Sequence, residues 1–332
     1  MKKQDKILFT CGDVNGIGTE ISLKLFYYLQ SKRTKYHLIF FCPANVFRFY
    51  YESLPLKFKF KKIDNIEQSE PDLLNLFEMS DCKVEIGLPT AQSGKSAYDS
   101  LLYAIEHLKK KKSSVVITAP VSKYAINLAG IEFTGQTELF AKEFEAKEYL
   151  MMFLSRKMKA ALHTIHIPLK EVHLHIKKSK MKSKLNLLAE TLQKDFRIKK
   201  PSIAVLGMNP HAGENGKIGT EEVRTMSDLI NSLDFAKGPF VSDAFFGNHL
   251  YKYFDAVYGM YHDQILIPFK MMNFSQGVNY TAGLPIVRTS PDHGTAFDIA
   301  GKNRADFTSI LAAYRYAIQI LNARKKVERQ IS

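Results

Sequence analysis

Short apolar runs alternate along the chain with longer stretches whose apolar residues recur every three or four positions. The run at 6–10 (KILFT) ends in a glycine-rich turn, after which Thr19, a residue type that caps helices, predicts a helix to Gln30. Residues 96–109 carry the apolar stripe of an amphipathic helix, and a final helix is predicted over 306–324. Further strands are predicted at 37–42, 115–119, 150–155, 159–166, 202–208 and 255–261.

This order of elements predicts the α/β fold class. Strands separated by helices require crossover connections, which favour a largely parallel sheet. The length of 332 residues allows two domains or one large unit. No repeat or low-complexity linker marks a domain boundary.

Composition and charge narrow the functional classes. A hydrophobic content of 45% with 24% charged residues is ordinary for a soluble globular protein. The net charge of +14 could favour nucleic acid, anionic membranes or small phosphorylated ligands. The lysine runs at 109–112 and 177–184 are typical of solvated helix ends, however, and no nucleic-acid-binding motif accompanies them. No apolar run is long enough for a membrane span or a secretory signal, so a cytoplasmic protein without a membrane or nucleic-acid partner is predicted.

Cysteine usage and two glycine-rich segments exclude several common sites. The cysteines Cys11, Cys42 and Cys82 are too few and too dispersed for a disulfide framework or a four-thiolate zinc site, and each is predicted to be a small buried thiol. The segment 12–18 (GDVNGIG) lacks the spacing of the dinucleotide fingerprint. In 91–96 (AQSGKS), Pro89 occupies the position of the first P-loop glycine and offers no N–H, so the GKS tripeptide is interpreted as the start of a helix.

Histidines occur at the ends of predicted strands. His262 closes one strand, His166 ends another, and His211 lies on a glycine-rich turn after a third. Open α/β sheets bind ligands at the carboxyl ends of their strands, so three imidazoles could converge on one divalent cation. Each histidine alone also fits a turn residue that hydrogen-bonds the backbone. His173 and His175 lie in a later helix and are predicted to be exposed.

Other polar residues suit an anionic ligand. The segments 118–123 and 134–138 place hydroxyl and amide groups where a strand ends or a helix begins, which suits anion binding at a helix N-terminus. Arg288 lies inside an apolar run and is predicted to pair with a buried anion or a ligand. Lys270 is compatible with either a solvated charge or a ligand contact.

Six segments in order, GDVNGIGTE, TAPVSK, GIEFTGQTE, MNPHAGENGKIGTEE, MYHDQ and GVNYTAGLPIVRTSPDHGTA, together resemble the 4-hydroxythreonine-4-phosphate dehydrogenase family of pyridoxal phosphate biosynthesis. The segment HGTAFDIAGK also resembles the adenosine-binding loop of isopropylmalate and isocitrate dehydrogenases, which bind NAD without a Rossmann fingerprint. The resemblance implies two α/β/α domains of the isopropylmalate-dehydrogenase-like type with a cleft between them. The first would comprise 1–131 and about 288–332, including both termini. The second, about 132–287, would hold the dimer interface and the metal ligands.

The resemblance also implies roles for individual residues. The metal ligands would be His166, His211 and His262. The substrate-binding residues would be Gln136, Thr137, Lys270, Asn279 and Arg288. The cofactor-binding residues would be His293, Gly294, Thr295, Ala296 and Asp298, and the candidates for proton transfer would be Lys270, Asp243 and Asp263. The family usually has histidine where Gln136 stands, and glutamine can donate a hydrogen bond but cannot carry a charge.

The activity implied is oxidation of 4-phosphohydroxy-L-threonine, dependent on NAD or NADP and on one divalent metal ion, zinc, cobalt or magnesium. The product would decarboxylate to 3-amino-2-oxopropyl phosphate. The resemblance further implies a homodimer with active sites shared between the subunits. Three alternatives stay open: a related dehydrogenase of phosphorylated threonate- or erythronate-type acids, a phosphotransacetylase-like acyltransferase, and a non-catalytic phosphate- or metal-binding module.

Overall fold

The computed structural model describes residues 5–273 and 275–331, and the chain divides into two compact units. The first unit comprises the chain up to Glu145 together with Leu284–Ile318. The second comprises Ala146–Gly283 and the chain from Gln319 onward. The predicted boundaries lay near residues 131 and 288, with the whole C-terminus in the first domain.

Strands and helices alternate as the sequence predicted, and the α/β class is confirmed. The strands are β1 (Lys6–Thr10), β2 (His37–Pro43), β3 (Phe60–Ile63), β4 (Leu74–Met79), β5 (Val115–Thr118), β6 (Leu150–Leu154), β7 (Lys159–Leu162), β8 (Ile203–Leu206), β9 (Ala236–Phe240), β10 (Ala256–Gly259), β11 (Val278–Ala282) and β12 (Val287–Pro291). The helices are α1 (Gly18–Ser31), α2 (Ala44–Ser53), α3 (Ala91–Lys109), α4 (Lys123–Leu128), α5 (Gln136–Glu143), α6 (Val172–His175), α7 (Lys178–Phe196), α8 (Ser227–Asn231), α9 (Ser242–Gly247), α10 (His262–Asn273) and α11 (Thr308–Ile331).

The strands of the first unit are all parallel to their neighbours, in the order β3-β4-β2-β1-β5-β12. Every residue of β1 and of β5 is buried, which explains why both read as continuous apolar runs rather than as alternating patterns. Because β1, β5 and β12 are adjacent and parallel, the loops that follow them emerge at one edge of the sheet.

The second unit has the strand order β11-β6-β7-β10-β8-β9. Strands β7, β10, β8 and β9 are parallel, but β6 is antiparallel to both β7 and β11. The sheet is therefore largely parallel, as predicted, with β6 as an antiparallel strand. Residues 155–158 alone connect β6 to β7, and a connection this short can only return the chain in the opposite direction.

Local contacts explain where the domain division differs from the prediction. Helix α5 belongs with the first unit because Gln136 hydrogen-bonds both Ala119 and Arg288 of that unit. The end of α11 belongs with the second unit, where Arg324 pairs with Asp195 of α7.

Several predicted boundaries shift in ways that affect the candidate site. The strand predicted at 159–166 ends at Leu162, and His262 begins α10 instead of closing a strand. Helix α3 begins before the GKS tripeptide, because Thr90 Oγ1 accepts from the Ser93 N–H and Ser93 Oγ accepts from the Thr90 N–H.

His173 and His175 are exposed and the three cysteines are free and buried, as predicted. In the described part of the chain, no helix has the length and apolar character that crossing a membrane requires.

Candidate active site

Arg288 of β12 lies in the core of the first unit, with 3% of its surface exposed. Its Nη2 and Nε donate to Thr118 Oγ1 at 2.9 and 3.1 Å, and Nη2 also donates to Gln136 Oε1 at 2.9 Å. Thr137 Oγ1 accepts from Nη1 at 3.4 Å. The end of β5 and the first turn of α5 thus bring together, around one guanidinium, residues that are distant in sequence.

Burial sets the electrostatics of this cluster. It lowers the pKa of Arg288 to about 10, an effect that the nearby Glu138 carboxylate opposes. The guanidinium therefore keeps its charge at neutral pH. Gln136 uses its other amide atom, Nε2, to donate to Ala119 O at 3.1 Å, so the side chain is fixed at both ends. A buried cation ringed by hydroxyl and amide groups is suited to binding a phosphate or carboxylate.

The glycine-rich turn after β1 joins two further loops of the same unit. The Asp13 N–H donates to Pro120 O and the Ile17 N–H to Thr295 O, both at 2.9 Å. A Cβ atom on Gly16 would lie 2.7 Å from Thr295 O, so glycine permits this close approach. The turn that failed the dinucleotide fingerprint is therefore in contact with the loops after β5 and β12.

Asp13 is a candidate functional residue to which the sequence analysis gave no role. Its carboxylate is fully buried and accepts from the Asn15 N–H at 3.0 Å and from Ser93 Oγ at 3.2 Å. Burial raises the pKa of the Asp13 carboxyl to about 6, although both hydrogen bonds favour the ionised form. The available signal was an acidic residue in the glycine-rich turn that follows the buried strand β1.

The predicted cofactor-binding residues lie together on the loop that follows β12. Ala296 has a left-handed backbone, with φ of 44°. Asp298 O accepts from Lys302 Nζ at 2.7 Å, and Thr295 contacts the glycine-rich turn as described above. The predicted residues on this one loop are His293, Gly294, Thr295, Ala296 and Asp298.

In the second unit, the backbone after β7 is bonded to the backbone after β10. The His163 N–H donates to Gly259 O at 2.8 Å, and Thr164 donates to Met260 O through its N–H at 3.1 Å and its hydroxyl at 2.6 Å. This pairing brings the rings of His166 and His262 to 6.1 Å between their centres.

The histidine side chains of the second unit are ligand types that divalent metal ions accept. Imidazole nitrogens bind zinc at about 2.1 Å, which allows ring centres about 5 to 6 Å apart. His262 Nδ1 lies 2.7 Å from Asp263 Oδ1, and such a carboxylate partner commonly orients a metal-binding imidazole so that Nε2 faces the metal. The pair His166 and His262 fits. His211 lies on a separate turn, and among residues 5–273 and 275–331 no group of three His, Cys, Asp or Glu side chains is close enough to hold a metal ion.

Buried side chains hold the chain segment that precedes His166 in place. His163 Nδ1 lies 2.6 Å from Tyr258 Oη, and its Nε2 lies 2.9 Å from His175 O. Burial lowers the pKa of His163 to about 4, so its imidazole is neutral. Lys184 of α7 donates to His163 O at 2.6 Å. The segment that leads to His166 is thereby fixed to α7 and to β10.

The remaining predicted residues lie on α9, α10 and β11. Lys270 is half-buried and lies on α10 eight residues after His262, so the two share a face of the helix. Asn279 is half-buried on β11, opposite Phe153 of β6. Asp243 is exposed in the first turn of α9, and its Oδ1 accepts from the Ala244 N–H at 2.8 Å.

Gln264 of α10 is a second residue that the sequence analysis missed. It is 8% exposed; its Oε1 accepts from the Met260 N–H at 2.7 Å, and its Nε2 donates to Gly207 O and Ser242 Oγ at 2.6 and 2.8 Å. One amide therefore connects the chain after β8, the start of α9 and the end of β10. A single glutamine in an amphipathic helix carries no sequence signal for such a role.

A match to a known family model shows which family the chain belongs to. Residues 34–317 match the family model described as "Pyridoxal phosphate biosynthetic protein PdxA". The chain belongs to the PdxA family. The predicted enzyme class, an oxidoreductase of vitamin B6 biosynthesis, is thereby confirmed.

Curated PdxA relatives match over nearly their whole length. A 4-hydroxythreonine-4-phosphate dehydrogenase from Sulfurihydrogenibium sp. is 39% identical over 96% of this chain and 99% of its own. One of the same name from Aquifex aeolicus is 38% identical over 96% of this chain and 98% of its own. This coverage shows that the resemblance extends well beyond the six motifs.

Solved PdxA structures match the fold as well. The 4-hydroxythreonine-4-phosphate dehydrogenase from Klebsiella pneumoniae superposes with a TM-score of 0.81 at 31% identity, over 95% of this chain and all of that one. A protein described as a putative 4-hydroxythreonine-4-phosphate dehydrogenase from Salmonella typhimurium gives 0.82 at 30% identity, over 96% of this chain and 100% of that one. The fold alone is shared with a terephthalate 1,2-cis-dihydrodioldehydrogenase from Burkholderia xenovorans, at a TM-score of 0.63 and 23% identity.

Proposed function

We propose that this protein oxidises 4-phosphohydroxy-L-threonine to 2-amino-3-oxo-4-phosphooxybutanoate with NAD or NADP and a divalent metal ion. The product is a β-keto acid that loses carbon dioxide to give 3-amino-2-oxopropyl phosphate, a precursor of pyridoxine 5'-phosphate. The observation that carries this proposal is the buried Arg288 guanidinium with Thr118, Gln136 and Thr137, in a chain whose full-length relatives bear the name of that dehydrogenase.

The anionic groups of the substrate are assigned to side chains that carry or donate positive charge. Arg288, with Gln136 and Thr137 beside it, binds a phosphate or carboxylate through several N–H and O–H donors. Lys270 and Asn279 are proposed as further substrate contacts, one cationic and one able to donate through its amide. The fixed Gln136 amide supplies a neutral donor and acceptor in place of an ionisable ring.

His166, His211 and His262 are proposed to hold the metal ion. When bound, a divalent ion supplies a Lewis acid that lowers the pKa of the substrate hydroxyl. Asp263 orients the His262 ring through the 2.7 Å contact at Nδ1, which supports a positioning role for this carboxylate. Lys270 and Asp243 then remain as the candidates for accepting the hydroxyl proton. Zinc, cobalt and magnesium are all compatible with imidazole and substrate oxygen ligands.

The nicotinamide cofactor is assigned to the loop after β12, through His293, Gly294, Thr295, Ala296 and Asp298. The support is that this loop is fixed to the glycine-rich turn after β1, at a ligand-binding edge of the parallel sheet. NAD or NADP supplies the hydride acceptor, and the protein provides binding and orientation.

A cytoplasmic homodimer with shared active sites is part of the proposal. Ile267 and Met271 of α10 are 59% and 83% exposed, and their spacing places them on one face of the helix that carries His262. Two large apolar side chains exposed on the same face are the kind of surface that a second subunit covers.

The test is turnover by the purified protein. NAD(P)H formation is expected from 4-phosphohydroxy-L-threonine with a divalent metal, and it should disappear after chelation and return on addition of zinc, cobalt or magnesium. Phosphorylated threonate and erythronate, and acetyl phosphate with coenzyme A, serve as comparison substrates under identical conditions. Faster oxidation of the sugar acids, or coenzyme A-dependent acyl transfer without NAD reduction, would contradict the proposal.

A further inference from the structure

Gln136, the first residue of α5, lies between two groups of opposite hydrogen-bonding character. Its Nε2 donates to Ala119 O at 3.1 Å, and its Oε1 accepts from Arg288 Nη2 at 2.9 Å. A carbonyl oxygen can only accept and a guanidinium can only donate, so the reverse orientation of the amide would lose both bonds. The chemistry of its two neighbours therefore holds the side chain in one orientation.

The Arg288 guanidinium is held along one edge. Nη2 donates to Gln136 Oε1 and to Thr118 Oγ1, each at 2.9 Å, and Nε donates to Thr118 Oγ1 at 3.1 Å. Nη2 carries two hydrogens and Nε carries one, so these three bonds use every donor of that edge. Because a guanidinium is planar, fixing this edge also fixes Nη1, which donates to Thr137 Oγ1 at 3.4 Å.

The two acceptors on this edge come from different elements of the first unit. Thr118 ends β5, the strand next to β12, whereas Gln136 begins α5. The bond from Gln136 Nε2 to Ala119 O fixes the amide to the residue that follows Thr118. The position of one acceptor relative to the other is thereby fixed, and the guanidinium plane with it.

The acceptor that Gln136 offers carries no charge. Burial lowers the pKa of Arg288 to about 10, and the Glu138 carboxylate opposes this effect. A carboxylate at position 136 would form an ion pair with the guanidinium and compensate its charge. An amide oxygen instead orients the guanidinium and leaves its charge to attract an anion.

We propose that Gln136 is a positioning residue: its uncharged amide fixes the plane of the Arg288 guanidinium so that Nη1 is directed to the first turn of α5, where an anionic group of the substrate binds. The inference rests on the proposed function and narrows the part of Gln136 in it, from a contact with the substrate to an action through Arg288. A guanidinium that is already oriented loses little conformational freedom when the anion binds, which favours binding.

The first test replaces Gln136 with methionine, which has a similar length but makes neither bond. Binding of 4-phosphohydroxy-L-threonine to Gln136→Met, measured by titration calorimetry without NAD(P), is expected to weaken about tenfold, because a hydrogen bond to a charged group is lost. In an Arg288→Lys background, the same substitution should change the affinity by less than about twofold, because the effects of residues that act through one another do not add. A residue that contacts the substrate directly would keep its effect in that background.

A second variant keeps the size of the side chain. Gln136→Glu retains an acceptor for Arg288, but its carboxylate compensates the guanidinium charge and places an oxygen against Ala119 O. At pH 8 it should weaken substrate binding at least as much as Gln136→Met does. Full affinity in this variant would overturn the requirement for an uncharged acceptor.

NMR of protein with isotopically labelled arginine follows the guanidinium itself. Restricted rotation gives separate Nη1 and Nη2 signals, and the signals of Arg288 are those that Arg288→Lys removes. Gln136→Met should bring them together in the absence of substrate. Gln193→Met is the matched control, because exposed Gln193 of α7 also donates through Nε2 to a carbonyl oxygen, that of Lys199. It should leave the Arg288 signals and the substrate affinity unchanged.

The outcomes separate this inference from the proposed function. Full affinity in Gln136→Met, a loss that persists in the Arg288→Lys background, or Nη signals that stay separate would overturn the positioning role and leave the proposed function intact. Full substrate affinity in Arg288→Lys itself would instead remove the anion site on which the proposed function rests. Weaker binding in Gln136→Met and Gln136→Glu, without a further loss in the Arg288→Lys background, is the result expected.

Discussion

At the scale of single residues, Arg288 shows how a charge can be stabilised in a core. Its guanidinium contacts Thr118, Gln136 and Thr137, and the nearby Glu138 carboxylate favours its charged form. Burial still lowers its pKa, so these groups offset only part of the cost of removing the cation from water. Under the proposed function, an anionic group of the substrate offsets a further part of this cost.

Replacement of Arg288 by lysine should therefore reduce kcat/KM by about 10- to 100-fold, mainly through KM, because an ammonium group cannot reproduce the planar fork of donors. Steady-state kinetics with 4-phosphohydroxy-L-threonine would measure the effect. Exposed Arg315, on α11, is the matched control, and Arg315→Lys should keep the original kinetics. Equal kinetics for the two variants would remove Arg288 from the substrate site.

Asp13 makes the unfolding free energy of the protein depend on pH. Burial raises the pKa of its carboxyl from 3.8 in an unfolded chain to about 6 in the folded protein. Because the folded pKa is the higher, the stabilising effect is complete below pH 3.8 and is lost as the pH rises through 6. The difference corresponds to about 3 kcal/mol of unfolding free energy.

Asp13→Asn should accordingly gain stability over the original protein as the pH rises. Urea unfolding at pH 5 and pH 8 would show a gap of up to about 3 kcal/mol at the higher pH and a smaller one at the lower. The amide keeps an oxygen for the Asn15 N–H, so the turn itself is preserved. Asp64→Asn, at an exposed position, should show no such trend. A gap for Asp13→Asn that stays constant between the two pH values would contradict the assignment.

The burial of Arg288 could be predicted from its position in an apolar run, whereas the role of Asp13 could not. An acidic residue after a strand gives the same sequence pattern whether its carboxylate is solvated or buried. Only the packing of Ser93 and the loop at Pro120 around it produces the shift of the pKa.

At the scale of elements, periodicity predicted strands such as β1, β5 and β8 and the long helices α1, α3 and α11, but not the conformations between them. The pattern at 202–208 located β8, yet nothing in PHAGENG indicated a left-handed turn. Such turns depend on contacts made after folding, and their residues have ordinary local preferences. Candidate residues such as His166, His211 and His293 lie in these connections, where periodicity gives no guidance.

Gly94 has a packing role between two helices that its place in the GKS tripeptide did not indicate. It lies in the first turns of α3, and a Cβ atom there would be 2.0 Å from the carbonyl oxygen of Ala125 in α4. The glycine of the GKS tripeptide therefore allows two helices to pack closely, and the tripeptide makes no P-loop.

Gly94→Ala should destabilise the protein by about 2 kcal/mol or more, because overpacking against backbone outweighs the roughly 1 kcal/mol that alanine gains in helix propensity. Urea denaturation would measure the change. Gly247→Ala, where nothing lies within 4 Å of the added Cβ, is the control and should be neutral or stabilising. A stabilised Gly94→Ala would show that α4 moves aside at little cost.

At the scale of the whole molecule, the chain builds its second unit from two separate segments. The residues from Gln319 onward join Ala146–Gly283, although the family resemblance implied that both termini lie in the first domain. Apolar periodicity in α11 continues without a break through this division, so it could not reveal that the helix serves both units.

A buried polar cluster fixes that last segment within the second unit. Arg324 of α11 donates to Asp195 of α7 through Nε at 2.7 Å and through Nη2 at 3.1 Å, and Nη2 also donates to Tyr280 Oη of β11 at 3.0 Å. Tyr280 donates to Asp195 in turn. Burial lowers the pKa of Arg324, but Tyr280 and Asp195 together raise it above its usual value, and both charged residues are buried.

Arg324→Met should lower the unfolding free energy by about 3 to 5 kcal/mol, because it leaves the Asp195 charge buried without its partner. The double variant Asp195→Asn with Arg324→Met should recover part of this loss, since the uncompensated charge is then removed. Thermal and urea unfolding would measure both, with Arg329→Met on the exposed part of α11 as the control. If the single and double variants are equally unstable, the loss comes from the packing of the arginine stem, and the ion pair does not hold α11 in the second unit.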